Sequence, residues 1–277
     1  MRLSDLHENL FFFPGGAGVS LLGFLSEPKS TSADTGILYC HPFAEEKNCS
    51  HAVVAKAART FAEHGFAVMR FDFSGCGDSE ADMSDFRLHD WLEDIHAAIV
   101  ELKRRTSVQK VILWGLRMGA ALAATFARKH SAIDGLLLWQ PVFSYRDYMH
   151  HFLRGKLASD ISAKYKGNSI ETLTDRIESA GHVEVQGYPI ADPLYSSFGE
   201  LDGENRGDLN CLVYIATISK MTQPPTMIAR KAGQLLSSHP ASKRTHIIEE
   251  PFWNRYWQWQ APATVQSTLN WLTETRW

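Results

Sequence analysis

The run Val111-Ile112-Leu113-Trp114-Gly115-Leu116-Arg117-Met118-Gly119-Ala120-Ala121-Leu122 leaves this chain few options. Its first residues are apolar and read as a buried strand, while the small residues after Gly119 read as a helix. Only a sharp turn fits between them, with Arg117 at the apex. Small side chains are required where a helix backbone doubles back over its own strand, and Gly115, Gly119, Ala120 and Ala121 supply them. The guanidinium of Arg117 is permanently protonated and has no lone pair, so it cannot attack a carbonyl. At a helix N-terminus, which is attractive to negative charge, it suits either a structural ion pair with a carboxylate or the binding of an anion.

Strand and helix alternate on both sides of this run. Leu10–Phe13 and Val19–Leu25 flank a glycine-rich turn and predict an opening hairpin. Gly36–Cys40 is a strand running into the loop His41-Pro42-Phe43-Ala44-Glu45-Glu46, and Ser50–His64 has helical spacing. Ala67–Phe73 is a strand, and Leu88, Trp91, Ile95, Ile99 and Leu102 mark an amphipathic helix. After Arg117 come a helix over Met118–Lys129 and a strand over Gly135–Gln140. The rhythm resumes with a strand Cys211–Ala216, a helix Pro225–Ser237, a strand Thr245–Ile248 and a closing helix from Pro262. Such alternation predicts an α/β fold with a mostly parallel sheet covered on both faces. Between Pro141 and Asp208 it breaks down: aromatic and basic residues, among them Tyr145, Tyr148, Lys164, Tyr165 and Lys166, lead into a looser stretch from Gly181 to Gly207. That length exceeds an ordinary connection. The expected division is a core of residues 1–142 and 209–277 with a lid over 143–208.

Composition excludes some classes of function. The 277 residues carry a formal net charge of -3 with no block of like charges, so no nucleic-acid partner is expected. No apolar run reaches membrane-spanning length. Met1–Leu10 lacks a basic segment followed by an apolar one, and Cys40, Cys49, Cys76 and Cys211 show no CxxC spacing. A cytoplasmic protein with reduced cysteines is the reading. Neither a metal nor a cofactor is expected: His150, His151 and His182 lack ligand spacing, and no phosphate-binding glycine motif occurs.

Taken together, His41-Pro42-Phe43-Ala44-Glu45-Glu46, Gly75-Cys76-Gly77-Asp78-Ser79, Trp114-Gly115-Leu116-Arg117-Met118-Gly119-Ala120, Leu138–Val142, Val183–Tyr188 and Pro251-Phe252-Trp253 resemble the α/β-hydrolase superfamily. More narrowly they resemble the exosortase A system-associated hydrolase 2 family. The resemblance implies the α/β-hydrolase fold, a G-x-R-x-G elbow as the family form, and association with bacterial exopolysaccharide production and exosortase-dependent protein sorting. Other proteins of that locus are then possible partners. It implies no particular reaction.

A serine hydrolase of this fold needs a nucleophile at the elbow, an acid after a later strand and a histidine after the last. Arg117 stands at the first position, Thr217–Met221 offers no carboxylate, and Glu249-Glu250-Pro251 replaces the histidine. Ser-His-Asp chemistry is therefore not expected. An oxyanion hole formed by the N–H groups of Phe43 and Met118 remains feasible. Glu45, Glu46, Glu249 and Glu250 should reach the same edge as Arg117, and residues alone do not decide which of them meets it. Trp253 is a candidate for the pocket wall, Cys76 a nucleophile only if a histidine lowers its pKa, and His41 a loop brace. Three functions remain: binding an anionic or acyl small molecule at Arg117; hydrolysis of an ester or thioester by water activated at Glu45, Glu46 or Glu249; or a non-catalytic interaction role.

Overall fold

A computed structural model of the protein describes residues 6–29, 32–162, 169–204, 207–235, 239 and 241–277. Lys164, Tyr165, Lys166 and Ser237, which entered the sequence reading, lie outside the described residues. The opening hairpin is β1 (Leu6–Pro14) and β2 (Ser20–Pro28), paired antiparallel. There follow β3 (Thr35–Cys40), α1 (Glu45–Glu63), β4 (Ala67–Phe71), α2 (Leu88–Arg105), β5 (Lys110–Leu116), α3 (Met118–Lys129) and β6 (Gly135–Trp139). An insertion then carries α4 (Tyr145–Ser162), α5 (Ile170–Ala180), the hairpin β7 (His182–Val185) and β8 (Tyr188–Ala191), and α6 (Asp192–Glu204). The chain closes with β9 (Leu212–Ser219), α7 (Thr226–Leu235), β10 (Lys243–Ile248) and α8 (Pro262–Glu274).

Eight strands form one sheet in the order β1-β2-β4-β3-β5-β6-β9-β10. From β4 to β10 every neighbour is parallel, and β2 joins β4 antiparallel. Order and pairing are those of the α/β-hydrolase fold, as expected. Alternate residues of the central strands serve opposite faces. Leu38, Leu113 and Leu138 belong to a core with α2, α3 and the insertion; Tyr39, Trp114 and Trp139 belong to a core with α1 and α8. The second core is strongly aromatic: Trp114 lies 4.5 Å from Tyr39, 4.8 Å from Trp139 and 5.3 Å from Phe61 between ring centroids. No helix among the described residues is long and apolar enough to cross a membrane.

Two sequence expectations need correction. The helix expected from Ser50 begins at Glu45, so Glu45 and Glu46 occupy its first turn and are not loop residues. Carboxylates there are favoured by the partial positive charge of the helix end. The stretch from Gly181 to Gly207, read as loose, contains a hairpin and a helix through Glu204. The hairpin turns at Gln186 and Gly187, both with positive φ (53° and 85°).

Candidate functional site

The turn between β5 and α3 has the sharpness that its glycines require. A Cβ on Gly115 would strike the backbone of Ala120, and one on Gly119 would strike the carbonyl oxygen of Cys40. Arg117 between them is held at φ 56°, ψ -116°, a conformation that costs a non-glycine residue roughly 1–3 kcal/mol. Neighbouring strand β6 holds it there. Arg117 N–H donates to Trp139 O at 2.9 Å, and Val142 N–H donates to Arg117 O at 3.3 Å. A second strained residue, Ala44 (φ 49°, ψ -130°), precedes α1.

Those two turns put the first residues of α1 beside the elbow. Arg117 Nε donates to Glu46 Oε1 at 3.1 Å, each side chain being only 20% exposed. Tyr148, from α4 of the insertion, donates its hydroxyl to Glu46 Oε2 at 2.8 Å. The guanidinium carbon also lies 5.7 Å from the Tyr148 ring and 5.4 Å from that of Trp253, within cation–π range. Burial, and then the adjacent Glu46 charge, hold the Tyr148 phenol well above its ordinary pKa. It is a proton donor at any working pH, so Glu46 is bound from one side by a cation and from the other by a neutral hydroxyl.

Glu45, one residue earlier on the helix, points to different partners. Its carboxylate accepts from Tyr188 OH at 3.0 Å, from Tyr256 OH, and from Asn48 Nδ2 at 3.3 Å. The bond to Glu45 pushes the Tyr256 phenol up to about 12. No cation lies within ion-pair distance of Glu45 among the described residues. The insertion is thus tied to α1 at both glutamates, through Tyr148 and Tyr188.

Under these residues is a cavity of about 320 Å³, whose wall includes Phe43, Glu45, Glu46, Tyr148, Trp253 and Tyr256. Of the residues expected to bind a ligand, Phe43 and Trp253 line it; Arg117 and Met118 do not, and Arg117 meets it only through Glu46. Phe43 is also the hub of an aromatic seam between core and insertion, 5.1 Å from Phe152 and 5.7 Å from Phe198. The backbone N–H groups of Phe43 and Met118 have no acceptor among the described residues. Glu249 lies elsewhere: its carboxylate caps α8, accepting from Ala263 N–H at 2.9 Å, Thr264 N–H at 3.0 Å and Thr264 Oγ1 at 2.6 Å. Glu250 pairs with Lys220 and Arg255.

The remaining candidates have structural partners. His41 Nε2 accepts from Phe73 N–H at 3.2 Å, which leaves Nδ1 to donate to Pro42 O at 2.7 Å. Burial lowers its pKa to about 4, so it is a neutral brace between two loops. Asp72 braces the next loop, accepting from Asp78 N–H at 3.1 Å and pairing with Lys47 at 2.9 Å. Burial pushes the Cys76 thiol up to about 12, the opposite of what a nucleophile needs. His246 lies within β10, its Nδ1 3.2 Å from Thr217 Oγ1 and its Nε2 2.8 Å from Met221 O. Trp257 and Trp259 are exposed.

Tyr148, Tyr188 and Tyr256 are the site residues that sequence reasoning missed. Each lies far from the glutamates in the chain, with no spacing to betray it; the concentration of aromatics in the insertion and around Trp253 was the one available signal.

Comparison with known proteins agrees with the topology. Est1E from Butyrivibrio proteoclasticus, in a structure with ferulic acid bound, is 15% identical with a TM-score of 0.65, covering 95% of this chain and 98% of that one. The alpha/beta hydrolase GrgF from Penicillium sp. sh18 is 17% identical with a TM-score of 0.62 over 97% of each chain. Mouse alpha/beta hydrolase domain-containing protein 10 is 15% identical with a TM-score of 0.58, covering 96% and 97%. At these identities the likeness shows the fold alone. No curated protein matches the chain. The family model described as Hydrolase_4: Serine aminopeptidase, S33, however, matches residues 32–194, more than half of the sequence and the whole region from β3 through β8. The chain accordingly belongs to this serine aminopeptidase (S33) family of α/β-hydrolases.

Proposed function

We propose that this protein uses the hydrolase fold without Ser-His-Asp catalysis, and that the cavity under its insertion, acting as a lid over residues 143–208, binds an acyl-bearing small molecule. The observation carrying this reading is the ion pair between Arg117, at the nucleophile position, and Glu46. Because Glu46 neutralises Arg117 and Glu45 adds a carboxylate to the wall, a neutral acyl group fits the cavity better than an anion. Phe43, which lines the cavity, supplies its open N–H as a donor for the carbonyl oxygen. Trp253, Phe152 and Tyr148 supply apolar wall for the acyl chain.

A thermal-shift titration with short and medium-chain alkyl amides tests this, since amides present the carbonyl and resist hydrolysis. Saturable stabilisation that weakens in Trp253→Ala is expected; no shift with any chain length overturns the reading.

A second reading is favoured by one observation. Glu45 lines the cavity with no cationic partner, held by three neutral donors, which suits a general base that activates water on an ester or thioester. Loss of turnover in Glu45→Gln would select it. The association with an exosortase and exopolysaccharide system, and a cytoplasmic location beside the proteins of that locus, are part of the same proposal. They rest on the motif resemblance. Co-purification of the tagged protein with products of neighbouring genes tests them.

A further inference from the structure

A larger cavity lies on the other side of α1. It measures about 620 Å³ and opens between α1 and the antiparallel edge formed by β2 and β4. Lys47, His51, Val54 and Ala55 recur at helical spacing and turn one side of α1 toward it. Glu45, Glu46 and Cys49 turn toward the lid cavity. The two sites share a helix and none of their charged side chains.

The larger cavity is lined by three cations, Lys47, Arg59 and Arg70, and two carboxylates, Asp72 and Asp78. Arg59 is paired with Glu8 at 2.9 Å, and Lys47 with Asp72 at 2.9 Å. Arg70, from β4, has neither an ion pair nor a hydrogen bond among the described residues; its one contact of this kind is the Phe24 ring, 4.6 Å from Cζ. Its Nε is sealed from solvent without a partner, and the side chain lines the cavity. Burial, and then the neighbouring Arg59 charge, hold the guanidinium below its usual pKa. Asp78, on the exposed rim, is the one carboxylate lining the cavity that pairs with no cation. The carboxylates near enough to attract it, Glu8 and Asp72, are paired with Arg59 and Lys47, so none is committed to Arg70. The apolar lining flanks Arg70: Phe24 is its cross-strand partner on β2, Leu22 and Leu10 belong to the same sheet, and Val54 comes from α1.

We infer that this cavity is a binding site for a monoanionic carboxylate bearing an apolar tail, with Arg70 receiving the carboxylate and the wall of β1, β2 and α1 receiving the tail. One unpaired guanidinium matches one negative charge, and its planar fork suits a carboxylate bidentately. A dianion would need Arg59 or Lys47 released from its partner. The volume falls within the roughly 300–1,000 Å³ usual for small-molecule sites.

The test is calorimetric titration of the whole protein with octanoate, octyl phosphate, octanol and acetate. Saturable octanoate binding is expected, on the order of tenfold tighter than octanol or acetate, because head and tail are both recognised. Arg70→Met should lose about tenfold in octanoate affinity and leave octanol unchanged, whereas Arg70→Lys should retain part of the gain. Arg70 has no polar partner to orphan, so Arg70→Met should fold, and its circular dichroism checks that it does. Trp253→Ala, which alters the wall of the lid cavity, should bind octanoate as the wild type does, which separates the two sites. Equal binding of octanol and octanoate, octanoate binding unaffected in Arg70→Met, or no saturable binding at millimolar octanoate overturns the inference. Markedly tighter octyl phosphate overturns its monoanionic part.

Discussion

Removing Glu46 tests the electrostatics at the elbow directly. At 3.1 Å two unit charges attract by about 5 kcal/mol at an effective dielectric near 20. Desolvation of both groups, each four-fifths covered, and the ordering of two side chains offset much of that, leaving a coupling of about 2 kcal/mol. Glu46→Ala also deprives Tyr148 of its acceptor, so the single variant should lose about 3 kcal/mol. In a chain of this size that is a fall in Tm of roughly 6–12 °C. The double-mutant cycle of Glu46→Ala with Arg117→Ala, read by urea denaturation, isolates the pair. Arg117→Ala after Glu46→Ala should cost far less than Arg117→Ala alone, since its partner is already gone. Additive losses, with coupling below about 0.5 kcal/mol, would refute the claim that Glu46 is what holds Arg117.

Other perturbations have definite signs. His41 has a folded pKa of about 4 against about 6.5 unfolded, so the unfolded chain takes up the proton first as the pH falls. Stability from this group is complete above pH 6.5 and declines by about 3 kcal/mol toward pH 4; an NMR titration showing His41 protonated with a midpoint near 6 would contradict this. Asp94 accepts from Gly16 N–H at 3.1 Å and Ser74 N–H at 2.8 Å, so Asp94→Ala strands two donors and should lose about 2–4 kcal/mol in denaturant titration, with Asp94→Asn milder. Gly119→Ala should fail to give folded protein by circular dichroism, because its Cβ meets backbone of β3 that cannot yield. Glu249→Ala should cost about 1–2 kcal/mol through lost capping of α8 and leave ligand binding in the lid cavity unchanged.

Much of the architecture was legible because it rests on local rules. Gly115 and Gly119 have to be small where β5, α3 and β3 touch, and that requirement is written in the sequence. The apolar strands are buried on both faces, so their runs are continuous and easily recognised. The hairpin at 182–191 escaped because strands of four residues with Gly181, Gly187 and Pro189 carry turn chemistry more strongly than strand periodicity. Asp192-Pro193 was a helix start overlooked. Helix α1 was begun late because Ala44 offers no capping side chain, and Asn48 and Ser50 are weak helix formers.

The site was legible in its members and not in its pairing. Arg117 followed from the elbow, but whether it pairs with a carboxylate or binds an anion did not, and Glu45, Glu46, Glu249 and Glu250 were equivalent on paper. The difference lies in distant hydrogen bonds, since Glu249 is taken up by Ala263 and Thr264 while Glu46 is met by Tyr148. Neighbouring residues in a helical turn diverge by about 100°. That divergence sends Glu45 to Tyr188 and Tyr256 and Glu46 to Arg117, a separation that no reading of the pair as loop residues gives.

The most direct test of the central claim, that a paired arginine has replaced the nucleophile, is steady-state hydrolysis of short and medium-chain nitrophenyl esters. Wild type, Arg117→Ser and Glu46→Gln are compared side by side. None of the three should release nitrophenol above the buffer rate. Wild-type turnover that vanishes in Glu46→Gln would contradict the claim and show the elbow carboxylate to be catalytic.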